Sequence, residues 1–180
     1  MILATIATLL LAFAPPPYDA TVTDVHDGDT IKVTVSGSPD KIEIRLYGID
    51  APEIKVSTKT VNGKRVETKY DKGSQPYGFT SRAMLSQLVY GKKVTVITET
   101  NAKTYGRTVA RIKCDGVDIN TKMVEIGAAH WYEQYAKRDK ELQSAQAQAK
   151  TARRGLWSDP NVQPPWEFRK KKPITKGEKK

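Results

Sequence analysis

Two stretches of strict alternation constrain this chain more than anything else in it. In Thr30-Ile31-Lys32-Val33-Thr34-Val35 the apolar side chains Ile31, Val33 and Val35 share one face. In Lys41 to Tyr47, Ile42, Ile44 and Leu46 turn inward while Glu43, Arg45 and Tyr47 face outward. A period of two belongs to half-buried strands and is incompatible with a helix. Ser36-Gly37-Ser38-Pro39-Asp40 between them is turn chemistry. An acidic turn flanks the pair on each side, Asp27-Gly28-Asp29-Thr30 before it and Asp50-Ala51-Pro52-Glu53 after it. The hairpin therefore draws four carboxylates together. Arg45 sits on its polar face, available to a ligand.

The remaining elements follow from pattern. Ala20 to His26 reads as a strand through Val22 and Val25, which completes a three-stranded meander. Thr80 to Tyr90 reads as a helix burying Ala83, Met84, Leu88 and Leu85, stopped by Gly91. Val94 to Thr98 and Arg107 to Lys113 are further strands, and Asp115-Gly116 turns into Val117-Asp118-Ile119. A short helix, Thr121 to Ile126, ends at Gly127. A longer one, Asp139 to Arg154, buries Leu142, Ala145, Ala149 and Ala152, with Leu156 and Trp157 folding back after Gly155. Short antiparallel strands with helices after the third strand and at the end define an α+β fold. A five-stranded β-barrel of the OB type with about three α-helices suits this order.

The net charge of +10 is unevenly placed. Residues 54–76 hold Lys55, Lys59, Lys64, Arg65, Lys69 and Lys72 against Glu67 and Asp71. The last twelve residues hold Arg169, Lys170, Lys171, Lys172, Lys176, Lys179 and Lys180 against Glu178 alone. The rest of the chain is neutral. An insert and a tail so charged point to a polyanion, nucleic acid first and an anionic membrane second. The insert reads as a hairpin turning at Asn62-Gly63, with a loop as the alternative. The single Cys114 excludes an intrachain disulfide and a cysteine-rich zinc site, and its position at a strand end suggests packing.

Residues 1–14 are uncharged and almost wholly apolar, and end in Ala12-Phe13-Ala14. They are short for a membrane span, which takes about 20 residues, and have the length of a signal-peptide core. Export to the periplasm or the extracellular space is expected, with an uncleaved membrane tether as the competing reading. The domain reading is a signal-like segment and Pro-rich spacer over 1–19, one domain over 20–160 with the basic insert at 54–76, and a basic extended tail over 161–180.

Oxygen donors from Asp29 and Asp50, with a backbone carbonyl and waters, suit Ca²⁺ or Mg²⁺. His26 and His130 are the only histidines, which disfavours imidazole-seeking metals. Arg45 and Arg107 offer bidentate donors to a phosphate whose charge grows in a transition state. Glu53 is placed to orient or deprotonate a metal-activated water.

In combination these residues resemble the staphylococcal nuclease (thermonuclease) family. The matching segments are Val25-His26-Asp27-Gly28-Asp29-Thr30, Arg45 through Glu53, Tyr77-Gly78, Tyr105-Gly106-Arg107, Ala145 to Lys150 and Gly155-Leu156-Trp157, within about Thr21 to Trp157. The resemblance implies a Ca²⁺-dependent phosphodiesterase that cuts DNA and RNA by attack of water and leaves 3′-phosphate ends. Carried over by motif, Asp29, Asp50 and the Ala51 carbonyl would hold the metal, with Asp27 beside them. Arg45 and Arg107 would contact the scissile phosphate, and Glu53 would act as the general base. Lys103, Tyr105 and Tyr135 would contact substrate, and no protein partner is implied beyond a monomer. Three departures bear on substrate affinity. Thr104 replaces the lysine before Tyr-Gly-Arg, with Lys103 one step away, and Glu133 replaces a tyrosine, for which Trp131 or Tyr132 would substitute. The segment from Glu53 to Tyr77 is also long for the family. A non-catalytic OB-fold nucleic-acid-binding module is the alternative, and a membrane-tethered cationic DNA-capture protein a third reading.

Overall fold

The computed structural model describes residues 15–62, 64–70, 73–104 and 106–170. The apolar start at 1–14, Tyr105 and the last ten residues fall outside that description. In chain order the strands β1 (Tyr18–Val25), β2 (Thr30–Val35), β3 (Lys41–Leu46) and β4 (Ile49–Asp50) come first. A separate hairpin of β5 (Val56–Val61) and β6 (Lys64–Tyr70) leads to helix α1 (Gly78–Val89). Then come β7 (Lys93–Thr104), β8 (Arg107–Cys114), β9 (Val117–Asp118), α2 (Ile119–Glu125), β10 (His130–Trp131) and α3 (Glu133–Ala136). The chain ends with α4 (Lys140–Thr151) and α5 (Pro165–Lys170).

β1, β2 and β3 form the antiparallel meander, β7 joins the free edge of β1, and β8 pairs with β7. The sheet then closes on itself, because Ile44–Leu46 of β3 pairs in parallel with Thr108–Ala110 of β8. The result is the five-stranded mixed barrel of an α+β OB-type fold, with α1, α2 and α4 as its three longer helices. Closure removes both sheet edges and fills the interior with the alternating residues Ile31, Val33, Ile44, Leu46, Val96 and Ile112, all essentially without solvent exposure.

Two polar residues lock the helices to the barrel. Buried Asn120 accepts from the Ile112 amide at 3.1 Å and donates to the Tyr47 carbonyl at 2.9 Å, tying α2 to the chain just before β4. Arg111 reaches both Asp118, at 3.0 Å, and Asp139. Those aspartates are the N-caps of α2 and α4, accepting from the Thr121 and Leu142 amides at 2.8 and 3.0 Å. One guanidinium thus neutralises two carboxylates that are already stabilised by helix N-termini.

Three departures from the sequence reading lie in helices α1, α4 and α5. Ala83 is exposed, and the buried face of α1 is Gly78, Ser81, Leu85 and Val89, with Met84 and Leu88 half-buried. The stripe is rotated because Ser81, polar by type, is buried and donates to the Ala128 carbonyl at 2.6 Å. Ala152 is exposed, since α4 ends at Thr151 and the chain leaves through Arg153 at φ 49°. Residues 165–170, read as extended, form α5, and its first residue, Pro165, is buried. A proline is preorganised for the first helical position, where no amide donor is required.

The stripe has a direct consequence. Leu85→Ala should cost about 2–5 kcal/mol, whereas Ala83→Gln should stay within about 0.5 kcal/mol. Urea unfolding of the two variants measures the difference.

Candidate functional site

The first acidic turn is shaped by its own side chains. Asp27 accepts the Asp29 amide at 3.0 Å, an Asx turn that fixes the backbone at Asp29. Gly28 has no substitute there, because a Cβ would lie 1.9 Å from Ser81 Oγ and 2.6 Å from Ala51 Cβ. That close approach seats the turn on α1 and on the second acidic loop. The second loop is fixed by β4, whose Asp50 pairs with His130 of β10. Gly48, at φ 72°, makes the turn from β3 into β4 in a backbone region that favours glycine.

These contacts bury both aspartates. Asp29 is 1% exposed, Asp50 0%. Asp29 accepts from the Ala51 amide at 2.6 Å, from Thr30 Oγ1 at 3.1 Å and from Arg45. The other end of the same guanidinium donates to Asp50 at 2.6 Å. Burial pushes the Asp29 carboxyl well above its ordinary range. Arg45 and the Ala51 amide pull it down, while the charges of Asp27 and Asp50 push it further up. Arg45 was expected to be open to a ligand, but its side chain is 20% exposed and bridges the two aspartates. Two anions in a low-dielectric wall require a nearby cation, and among the described residues Arg45 is the one bonded to both.

Outside this pair lies a cleft of about 940 Å³, lined by Asp27, Arg45, Glu53, Arg107, Tyr135 and Arg169 among others. Arg107 enters it from β8, the strand that closes the barrel against β3, so residues more than sixty positions apart meet. It is weakly held, 3.5 Å from Thr30 Oγ1 and 4.0 Å from Glu43. Glu53 is held by its backbone, whose amide donates to Gln75 Oε1 at 3.2 Å, and its carboxylate is 31% exposed. Tyr135, 62% exposed, stands at the rim with its ring against Tyr132, centroids 4.8 Å apart. The side chain of Lys103 and the whole of Tyr105 lie outside the described residues.

Arg169 was absent from the sequence reading of the site. It donates to both oxygens of Asp50, at 3.1 and 2.8 Å, and to Glu53. The sequence signal was present in Pro165-Trp166-Glu167-Phe168-Arg169, where two aromatics and an arginine interrupt an otherwise lysine-rich tail.

The donor set is compatible with a hard cation but does not form a closed cage. Among the described residues no three His, Cys, Asp or Glu side chains converge as a metal cluster. Two carboxylates bonded to one guanidinium are close enough to face one cation, and Arg169 shows that a positive group fits on the cleft side of Asp50 and Glu53. Ca²⁺ accepts six to eight oxygens in a flexible shell, so backbone carbonyls and water would complete such a site. The tighter octahedron of Mg²⁺ is a poorer match to so few side-chain donors.

Residues 43–159 match the family described as staphylococcal nuclease homologue. The chain belongs to the staphylococcal nuclease family. It is 40% identical over 152 residues to an uncharacterized endonuclease of Escherichia coli O157:H7, covering 84% of each chain. It is 34% identical over 159 residues to a micrococcal nuclease of Shigella flexneri, covering 83% of this chain and 79% of that one. A staphylococcal-like nuclease CAN1 of Arabidopsis thaliana is 36% identical over 132 residues, 73% of this chain and 34% of the plant protein. The matched residues of this nuclease-family chain run from β3 to just past Trp157, and so include Arg45, Asp50, Glu53 and Arg107. Asp29 and α5 lie outside the match.

Two predictions follow from the way the site is packed. Gly28→Ala forces Ser81 and Ala51 apart and should cost about 1–3 kcal/mol, a typical overpacking penalty, read by chemical denaturation. His130, 2% exposed behind Asp50, has a ring packed edge-on against Trp157 with centroids 4.7 Å apart. Burial lowers its pKa from 6.5 to about 4, against the opposing pull of Asp50 and with help from Lys150. The unfolded chain therefore takes up a proton near pH 6.5 that the folded chain refuses until about pH 4. Stability should fall as pH drops through that window, by on the order of 3 kcal/mol in all. His130→Phe should flatten that slope in thermal melts taken from pH 7 to pH 4.5.

Proposed function

We propose that this protein is a Ca²⁺-dependent nuclease that hydrolyses the phosphodiester backbone of DNA and RNA and leaves 3′-phosphate ends. The observation that carries this reading is that Arg45, Glu53 and Arg107 line one cleft, with the buried Asp29–Asp50 pair bonded to Arg45 in its wall. The names of the relatives, endonuclease and micrococcal nuclease, support the same reaction class.

In this reading Asp29 and Asp50 hold the metal with the Ala51 carbonyl, and Asp27 keeps the turn that presents Asp29. Calcium held there would supply positive charge, the chemistry that acidifies a water and offsets the charge of a phosphate. Glu53, at the cleft edge and partly solvated, orients that water and accepts its proton. Arg107 has only weak partners to give up and takes the scissile phosphate, with bidentate donors matched to the two oxygens that gain charge. Arg45 shares its guanidinium between the metal carboxylates and the phosphate. The 5′ oxygen leaves in line with the attacking water. Tyr135 at the rim offers a face on which a base can stack, and Lys103 and Tyr105 extend the contact.

The hairpin of β5 and β6 begins three residues after Glu53 and belongs to the basic insert, whose charge in this reading attracts the nucleic-acid strand. We further propose that residues 1–14 direct export, that the domain spans 20–160, and that the protein acts as a monomer.

The test is incubation of purified protein with supercoiled DNA and with RNA, in Ca²⁺, in Mg²⁺ and in chelator. Scission should require the divalent ion and be strongest with Ca²⁺. Retention of DNA without scission in every condition would instead identify a binding module. Asp29→Asn and Arg107→Ala should each lower cleavage by about a hundredfold or more, the usual loss for one electrostatic partner of the transition state. Their circular dichroism should stay that of the parent. Full activity in either would remove the residue from the site.

A further inference from the structure

The C-terminal segment does something that neither the barrel nor the proposed reaction requires. From 155 onward the chain turns back across the face that carries β10 and ends its described part inside the cleft. It is anchored on the way. Gln75 donates to the Gln163 carbonyl, and Pro165 is buried. The Trp166 ring lies against both His130 and Tyr132, with centroids 5.5 and 5.2 Å apart. Beneath this segment is a second cavity of about 480 Å³, walled by Trp157, Trp166 and Tyr132 among others. α5 is therefore seated by its aromatic side, and one turn after Trp166 it presents Arg169 to the acidic loop. There the guanidinium takes both oxygens of Asp50 and reaches Glu53. Its neighbour Lys170 pairs with Glu167 on the helix itself.

We propose that Arg169 is a tethered counter-ion that occupies the cation position of the nuclease centre, so that a divalent metal and α5 compete for Asp50 and Glu53. The inference rests on the proposed metal role of Asp50. Charge and geometry both support it. Arg45 is shared between the two buried carboxylates, and Arg169 adds its charge to Asp50 and Glu53 from the cleft side. A metal bound on the cleft side of Asp50 needs the oxygens that Arg169 now holds, and because Asp50 Oδ1 already accepts from Arg45 as well as Arg169, a further cation there is repelled unless Arg169 withdraws. Arg169 is also the more dispensable partner, at 42% exposure against 20% for Arg45. When the carboxylates pass to a metal, its guanidinium can reach solvent or a phosphate without unfolding anything. The bidentate grip suits arginine, since a lysine would offer a single point of charge. The chain thus carries its own reversible inhibitor, which keeps the centre closed at low free Ca²⁺.

Calorimetric titration of Ca²⁺ into the metal-free, full-length protein tests this, with Arg169→Ala and Arg169→Gln as the variants and Lys170→Ala as the control. If the plug occupies the site about nine-tenths of the time, removing it should tighten Ca²⁺ binding about tenfold, and Lys170→Ala should match the parent. Thermal melts supply a readout that a merely structural salt bridge would not give. Without Ca²⁺ the Arg169 variants should melt below the parent, and at saturating Ca²⁺ the gap should close. Equal or weaker Ca²⁺ affinity in both Arg169 variants overturns the competition and leaves the metal site standing, as does a melting gap that persists in Ca²⁺. Absence of Ca²⁺ binding by the parent and by every variant removes the metal reading and the competition together.

Discussion

Asp29 and Asp50 lie side by side where almost no water reaches them, and every other feature of the site follows from keeping two such anions in one wall. Burial alone favours the protonated acid, and a second carboxylate nearby adds to that. The fold counters this with directed donors, namely the Ala51 amide, Thr30 Oγ1 and the two ends of the Arg45 guanidinium. Removing one partner of such a group leaves an uncompensated buried charge, which costs far more than a surface ion pair contributes. The hairpin of β2 and β3, the close seat of Gly28 on α1 and the short pairing of β4 with β10 all serve this one electrostatic arrangement.

The cleft outside that pair is organised differently. Its groups are partly solvated and loosely held. Arg107 has a long hydrogen bond and a distant ion pair, Glu53 is held by its backbone and, at its carboxylate, by Arg169, and Tyr135 is largely exposed. A rigid, dry wall meets a wetter one, the contrast on which the proposed reaction relies. Arg169 bridges the two walls. It belongs by sequence to the basic tail and by position to the acidic centre, and its contacts are as direct as those of Arg45.

Much of this was legible in the chain. Alternation in 30–35 and 41–47 placed Ile31, Val33, Ile44 and Leu46 in the core, and the helical spacing of Leu142, Ala145 and Ala149 gave the buried face of α4, which packs against α2. The parts that were misread lacked a period. β4 and β10 are two residues each, too short for any pattern. In α1 the buried face includes Ser81, and a hydropathy stripe cannot anticipate that a hydroxyl will find the Ala128 carbonyl at 2.6 Å. Arg45 looked solvent-facing because alternation reports which side of a strand a residue occupies and says nothing of what stands on that side.

The sequence by itself determined the longer strands and the barrel class, and it offered the candidates for the site, two aspartates on acidic turns, Glu53 close behind and two arginines, because hydrophobic periodicity and turn chemistry are local properties. Tertiary structure alone decided who meets whom. Parallel closure of β3 on β8 carried Arg107 to the mouth of the barrel. Packing of Trp166 on His130 and Tyr132 carried Arg169 across 119 positions to Asp50. Contacts between residues so far apart in the chain leave no periodic trace, since they depend on where whole elements dock, and docking is set by the summed burial of surfaces that no short window contains.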